Sequence, residues 1–231
     1  MKIKATAVLI LLIASLGCKK SDSVKDEVNL PQDNLQNSSG SWMVDFSDYP
    51  AGEETFYELG SSNSKLPSPL DSTVMGLKVT GNNHSDDLFM FIKKRVTGLK
   101  PNHEYKVKIE VELASNAAEN GIGIGGAPGE SVYLKAGLVP IEPMKTLQAG
   151  QRNYVLNLDK GNQASAGKDL HNIGNIENGL DAYQYVLIKR SAEFTGKTDD
   201  KGEGWFVIGT DSGFEGTTAL YYTNVMVNLV E

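Results

Sequence analysis

From Tyr105 to Leu113 the chain alternates without a break. Tyr105, Val107, Ile109, Val111 and Leu113 are apolar, and Lys106, Lys108, Glu110 and Glu112 fill the positions between them. A period of two puts all five apolar side chains on one face of an extended strand and all four charges on the other. Such a strand must cover a core on one side and face water on the other. Shorter apolar runs recur at residues 42–46, 55–59, 75–80, 88–92, 122–124, 132–139, 154–158, 183–189, 205–208 and 220–227. The run at 88–92 is continuous, which predicts a strand covered on both faces. Gly98-Leu99-Lys100-Pro101-Asn102 reads as a turn joining 89–96 to 105–113 as an antiparallel pair, and the Ser/Asn/Pro-rich stretch 60–72 reads as a loop. Roughly ten short strands, many glycine turns and no convincing helical period predict an all-β, two-sheet antiparallel β-sandwich. No internal repeat is visible, which disfavours a propeller or a solenoid.

The first eighteen residues carry an address. Lys2 and Lys4 precede a run at 5–16 that is apolar apart from Thr6 and Ser15, and Gly17 and Cys18 close it. A basic start, an apolar core of 7–15 residues and small residues at the cut define an export signal. A spanning helix needs about 20 apolar residues, so this run is too short to stay in the membrane. Ser15-Leu16-Gly17-Cys18 resembles the processing site of bacterial lipoproteins, with Ser15 where leucine is usual. The resemblance implies cleavage after residue 17, acylation of Cys18, and anchoring of the protein to the lipid bilayer of the cell envelope, the outer membrane being the expected one, with surface exposure as a further outcome. Two or three acyl chains anchor stably, since each buried methylene adds about 0.8 kcal/mol. Cys18 is the only cysteine, so no disulfide forms within the chain. Residues 19–40 are polar and aperiodic and read as a flexible tether. Lys19, Lys20 and Asp22 resemble the surface-export tags of some Gram-negative lipoproteins, and equally suit a solvated linker. The organisation expected is therefore a leader at 1–17, a lipidated cysteine and tether at 18–40, and one sandwich domain at 41–231.

Charge narrows the partners. The chain has 22 Lys+Arg against 29 Asp+Glu, a net charge of −7, which becomes −9 once Lys2 and Lys4 leave with the leader. An acidic surface argues against nucleic acid and against electrostatic docking on anionic lipid.

Residues 96–113, with a Val-x-Gly-Leu-x-Pro turn leading into a Tyr-led strand, look like jelly-roll, galactose-binding-like carbohydrate-binding modules. So does Leu220-Tyr221-Tyr222-Thr223-Asn224-Val225-Met226-Val227 near the end, with Asn224 where an aspartate is common. The likeness implies a jelly roll and a glycan ligand; the departure at Asn224 puts a carried-over metal ligand in doubt. The polar blocks 81–87, 125–131, 159–163 and 209–216 resemble an uncharacterised family of bacterial extracytoplasmic proteins, which implies export and no particular chemistry.

Several motifs dissolve on inspection. Gly121-Ile122-Gly123-Ile124-Gly125-Gly126 spells G-x-G-x-x-G, but Ala127-Pro128-Gly129 follows, so no helix receives a pyrophosphate. Gly129-Glu130-Ser131 has Glu where a phosphate loop needs lysine. Asp211-Ser212-Gly213 after an apolar strand has the form of one half of an aspartic-protease dyad, but the chain holds one copy, so a symmetric dimer would be required, and a turn leaving a sandwich strand explains the same residues without chemistry. His84, His103 and His171 lack metal-ligand spacing. His84-Ser85-Asp86-Asp87 suits a ligand or Ca²⁺, or a loop whose side chains satisfy their own backbone. Asp199, Asp200 and Glu203 form a second candidate Ca²⁺ turn; no cofactor is required by any motif. A glycan site would draw on His84, Asp86, Asp87, Glu130, Asp159, Asp211 and Glu215, with Tyr183, Tyr185 and Phe214 the aromatics expected at the surface. Three functions stay open: a non-enzymatic glycan-binding protein, a hydrolase of polysaccharide or envelope substrates, and a structural or protein-binding lipoprotein. Oligomeric state is not readable.

Overall fold

The computed structural model describes residues 27–30, 32–36 and 41–231. The leader, Cys18 and residues 19–26 lie outside them. The strands are β1 (Glu27–Asn29), β2 (Asp33–Asn34), β3 (Met43–Ser47), β4 (Tyr49–Pro50), β5 (Gly60–Lys65), β6 (Met75–Asn82), β7 (Phe89–Val96), β8 (Glu104–Ser115), β9 (Val132–Val139), β10 (Lys145–Leu147), β11 (Asn153–Leu156), β12 (His171–Asn175), β13 (Val186–Lys197), β14 (Gly204–Ser212) and β15 (Thr217–Val230). Among the described residues there is no helix.

One sheet runs β13-β8-β15-β6-β5, with β1 and β2 also on β15, and the other runs β12-β9-β14-β7-β3. All neighbouring strands are antiparallel. The chain changes sheet between β6 and β7, β7 and β8, β8 and β9, β12 and β13, β13 and β14, and β14 and β15. This is the jelly-roll sandwich.

The alternating strand sits as its pattern dictates. On β8, Tyr105, Val107, Ile109, Val111 and Leu113 are all buried in the main core. On its outer face Lys106 pairs with Glu193, and Lys189 reaches Glu110 at 2.8 Å. Burying a large apolar side chain is worth about 1.5–3 kcal/mol, whereas an exposed ion pair is worth about 0–1 kcal/mol. The inward face therefore sets the strand, and the charges follow.

The continuous run on β7 is covered twice, as its sequence predicts. Met90 and Ile92 enter the core between the sheets. Phe89 and Phe91 point the other way and pack with Val139, Val207, Leu156, Leu158 and Leu170. Those last three leucines belong to or flank a third layer, in which β10, β11 and β4 form a small sheet and the 159–169 loop follows. Residues 140–170 thus lie over the outer face of the five-stranded sheet.

Five expectations are corrected. β7 and β8 do not pair; they belong to opposite sheets and meet across the core, because the 97–103 turn crosses the edge of the sandwich. β7 instead pairs with β14 and β3. Residues 55–59 form turns, with Tyr57 N–H donating to Glu53 O at 2.9 Å, whereas the polar stretch Gly60–Lys65 is an edge strand on β6. Backbone pairing at an edge needs no apolar side chains, so the Ser/Asn composition concealed it. Residues 122–124 make only the single bridge Ile124–Glu215. Finally, two short stretches of the expected tether, Glu27–Asn29 and Asp33–Asn34, join the sheet: Glu27 pairs with Val230 and Asp33 with Val225. Leu35 is 1% exposed, its N–H donates to Thr223 O at 3.0 Å, and Lys94 Nζ meets both oxygens of Asp33 at 2.6 Å.

Register defines two poles. The turns 97–103 and 198–203 and the end of β15 share one pole, since Lys197 pairs with Glu104, Gly204 with Val96 and Val230 with Lys106. The loops 83–88, 116–131 and 213–216 share the other, since Val186 pairs with Ser115, Ser212 with Val132 and Thr217 with Asn82. We call these the N-terminal pole and the loop pole.

Leu35 tests the corrected boundary. Leu35→Ala is expected to lower the unfolding free energy in urea by about 2–5 kcal/mol; a residue on a free tether would change nothing.

Candidate ligand-binding site

The four polar blocks meet at the loop pole, and mainly through backbone. Asn83 Nδ2 donates to Ser212 O and Phe214 O, both at 2.9 Å. Gly213 N–H donates to Ser131 O and Glu215 N–H to Ile124 O, each at 2.8 Å. Gln163 N–H donates to Asp211 Oδ2 at 2.8 Å. Blocks 81–87, 125–131, 159–163 and 209–216 are thereby one structural unit.

Beneath them lies a charge cluster. Asp211 and Lys135 have no solvent-exposed side-chain surface and stand 3.2 Å apart. Lys160 Nζ lies 2.8 Å from Asp211, 3.1 Å from Asp87 and 3.8 Å from Asp48. Lys135 Nζ also donates to Lys160 O and Ser165 O, both at 2.7 Å, which pins the 159–169 loop to β9. Three carboxylates face two ammonium groups, so the cluster holds one negative charge too many. Burial pushes the Asp48 carboxyl up to about 6 against the pull of Lys160. Asp87 is raised for the same reason. Burial lowers Lys135, with Asp211 opposing. Burial also opposes the charged form of Lys160, but Asp211, Asp48 and Asp87 together outweigh it and raise the group.

The expected site residues divide. Asp211 and Asp87 join the cluster. Asp86 comes within 3.5 Å of Gln163 Nε2. Asp159 precedes Lys160, but its carboxylate turns away to accept Gly161 N–H at 3.0 Å and Lys168 N–H at 3.1 Å; those bonds, Lys168's first, hold it below the usual carboxylate range. His84 is exposed and stacks on Phe56 with ring centres 4.2 Å apart. Glu130 is exposed and Glu215 half-buried. The loops converge, then, while His84, Glu130 and Asp159 do not enter a pocket with Asp211. Lys135, Lys160 and Asp48 were missed. A signal for one of them existed: Lys135 interrupts the apolar run 132–139, and a lysine inside a buried strand needs a counter-charge.

The turn with Asp199, Asp200 and Glu203 closes on itself. Asp199 Oδ1 accepts Lys201 N–H at 2.9 Å and Glu203 N–H at 2.8 Å, and Glu203 pairs with Arg95. Among the described residues no three His, Cys, Asp or Glu side chains gather as a metal site.

The same pole opens a small pocket of about 130 Å³, lined among others by Asn116, Ile122, Pro128, Tyr183, Phe214 and Thr217. Tyr183 is 65% exposed and Ile122 94%. Tyr183 is at the surface as expected; Tyr185 is half-buried, edge-on to Tyr221, and Phe214 is half-buried. The glycine run explains itself here. A Cβ on Gly123 would fall 2.4 Å from the Phe214 ring and one on Gly216 2.5 Å from it. The motif that mimics a nucleotide loop is the seat of this ring, which forms one wall of the pocket.

No protein-family model matches the chain, and no curated protein matches it. Solved structures do. The enzymatically active domain of bacteriophage CBA120 tailspike protein 4 is 10% identical with a TM-score of 0.33, over 82% of this chain and 19% of that one. The C-terminal family 22 carbohydrate-binding module of Clostridium thermocellum Xyn10B is 10% identical with a TM-score of 0.38, over 86% and 92%. The K3 cleaved adhesin domain of Lys-gingipain from Porphyromonas gingivalis is 7% identical with a TM-score of 0.42, over 88% and 99%. At these identities and TM-scores the likeness carries no argument, and the architecture rests on the strand pairing.

Two outcomes follow from the cluster. Asp211→Ala leaves the buried ammonium group of Lys135 without its carboxylate and removes one of the three carboxylates around Lys160, and is expected to lower the unfolding free energy by about 3–5 kcal/mol, measured in urea at neutral pH. The second concerns acidity. Asp48 holds its proton more tightly folded, at about 6, than at its ordinary 3.8. Its contribution to stability is therefore complete below its unfolded value and disappears as pH rises through 6. In Asp48→Asn that contribution is fixed, so the variant should gain thermal stability over the parent from pH 4 to pH 7. Parallel melting curves would show Asp48 outside the cluster.

Proposed function

We propose that this chain is an extracytoplasmic, lipid-anchored glycan-binding protein without catalytic activity of its own. The leader ending in Ser15-Leu16-Gly17-Cys18 supports export and anchoring. The single observation that carries the ligand is Tyr183: an exposed aromatic face beside a small pocket that also offers Asn116, Thr217 and Thr218. A pyranose presents a flat apolar face and a rim of hydroxyls. An aromatic ring takes the first, and amide and hydroxyl side chains take the second. A pocket of 130 Å³ suits the edge of one sugar on an otherwise open surface. The charge cluster serves as the foundation of this pole, because Asp211 and Lys135 are sealed from solvent and cannot touch a substrate.

A second reading has an observation behind it. Ile122 and Ile124 are 94% and 72% exposed on the same loop, which favours a protein partner at this pole.

Affinity electrophoresis on immobilised polysaccharides and a glycan array separate the two. The parent should be retarded by at least one glycan, and Tyr183→Ala should weaken that binding roughly tenfold with an unchanged melting temperature. Absence of binding to every glycan tried would reject this ligand class and leave the protein-partner reading.

A further inference from the structure

The corrected start of the domain fixes which way the molecule faces. This inference rests on the proposed acylation of Cys18 and adds the orientation that acylation imposes. β1 begins at Glu27, paired with Val230 at the N-terminal pole. Only residues 19–26 separate Glu27 from Cys18, against the 22 residues of the tether expected from sequence. At most about 3.6 Å per residue, nine residue steps span no more than about 32 Å. The sandwich is longer than that. β15 has 14 residues, and at about 3.4 Å each they run about 45 Å from the loop pole to the N-terminal pole.

We infer that the anchored protein stands on its N-terminal pole and presents the Tyr183 pocket away from the bilayer. A head-down arrangement would lift Glu27 about 45 Å from the lipid, beyond the reach of the link.

The test uses full-length acylated protein on vesicles of phosphatidylethanolamine and phosphatidylglycerol that carry a surface acceptor dye. Because the acylated Cys18 is the only native cysteine, a single added cysteine takes a donor dye cleanly. Lys201→Cys labels the N-terminal pole and Glu130→Cys the loop pole. Energy transfer should be higher from position 201 than from 130. The difference should shrink when a long Gly/Ser stretch is inserted after Lys20. Equal transfer would mean that the molecule lies on its side, and stronger transfer from 130 that it is inverted; either overturns the orientation while leaving the anchor intact. Protein that stays in the aqueous phase of a detergent partition, like Cys18→Ser, would instead remove the anchor on which the orientation rests.

Discussion

A lysine in the middle of a buried strand is the constraint around which one end of this protein is built. Lys135 has no exposed side-chain surface, and a buried ammonium group is tolerated only when it is paired and hydrogen-bonded. Asp211 on the neighbouring strand supplies the charge, and the carbonyls of Lys160 and Ser165 supply the remaining acceptors. Satisfying one side chain therefore recruits β14 and the 159–169 loop. Lys160 extends the same logic to Asp48 and Asp87. The loops of the candidate site rest on this foundation through Gln163 N–H on Asp211 and Gly213 N–H on Ser131 O.

The apolar counterpart is the doubly covered five-stranded sheet. Phe89 and Phe91 could not face water as a pair, and residues 140–170 supply the leucines that shield them. Sequence order and layer order are linked here: the excursion between β9 and β12 roofs the sheet that those strands belong to, and the same excursion delivers Lys160 to Asp211. Core packing and the charge cluster are two sides of one docking event.

Much of this was legible where side chains carry the signal. The alternation on β8 and the unbroken run on β7 stated their burial outright. What failed were inferences about partners. The turn at 97–103 looks like a hairpin, but a strand's pattern says which face is buried and nothing about which strand lies beside it. Edge pairing by Gly60–Lys65 and by Glu27–Asn29 runs through backbone and leaves no mark in an apolar profile. The site was half visible. Asp211 and Asp87 stood out as carboxylates in polar loops, and Tyr183 as one of three aromatics expected at the surface. His84 and Glu130 share the pole without sharing a pocket, because residue type reveals a capacity for hydrogen bonding and not its direction.

On the proposed reading, the pole secured by Lys135, Asp211 and Lys160 displays a sugar-binding surface at Tyr183. Amide chemical-shift mapping of the folded domain, titrated with a panel of soluble oligosaccharides, tests this. Saturable shifts concentrated at Asn116, Ile122, Tyr183, Phe214 and Thr217 are expected for at least one sugar. Shifts confined to the N-terminal pole, or a spectrum indifferent to every sugar offered, would contradict it.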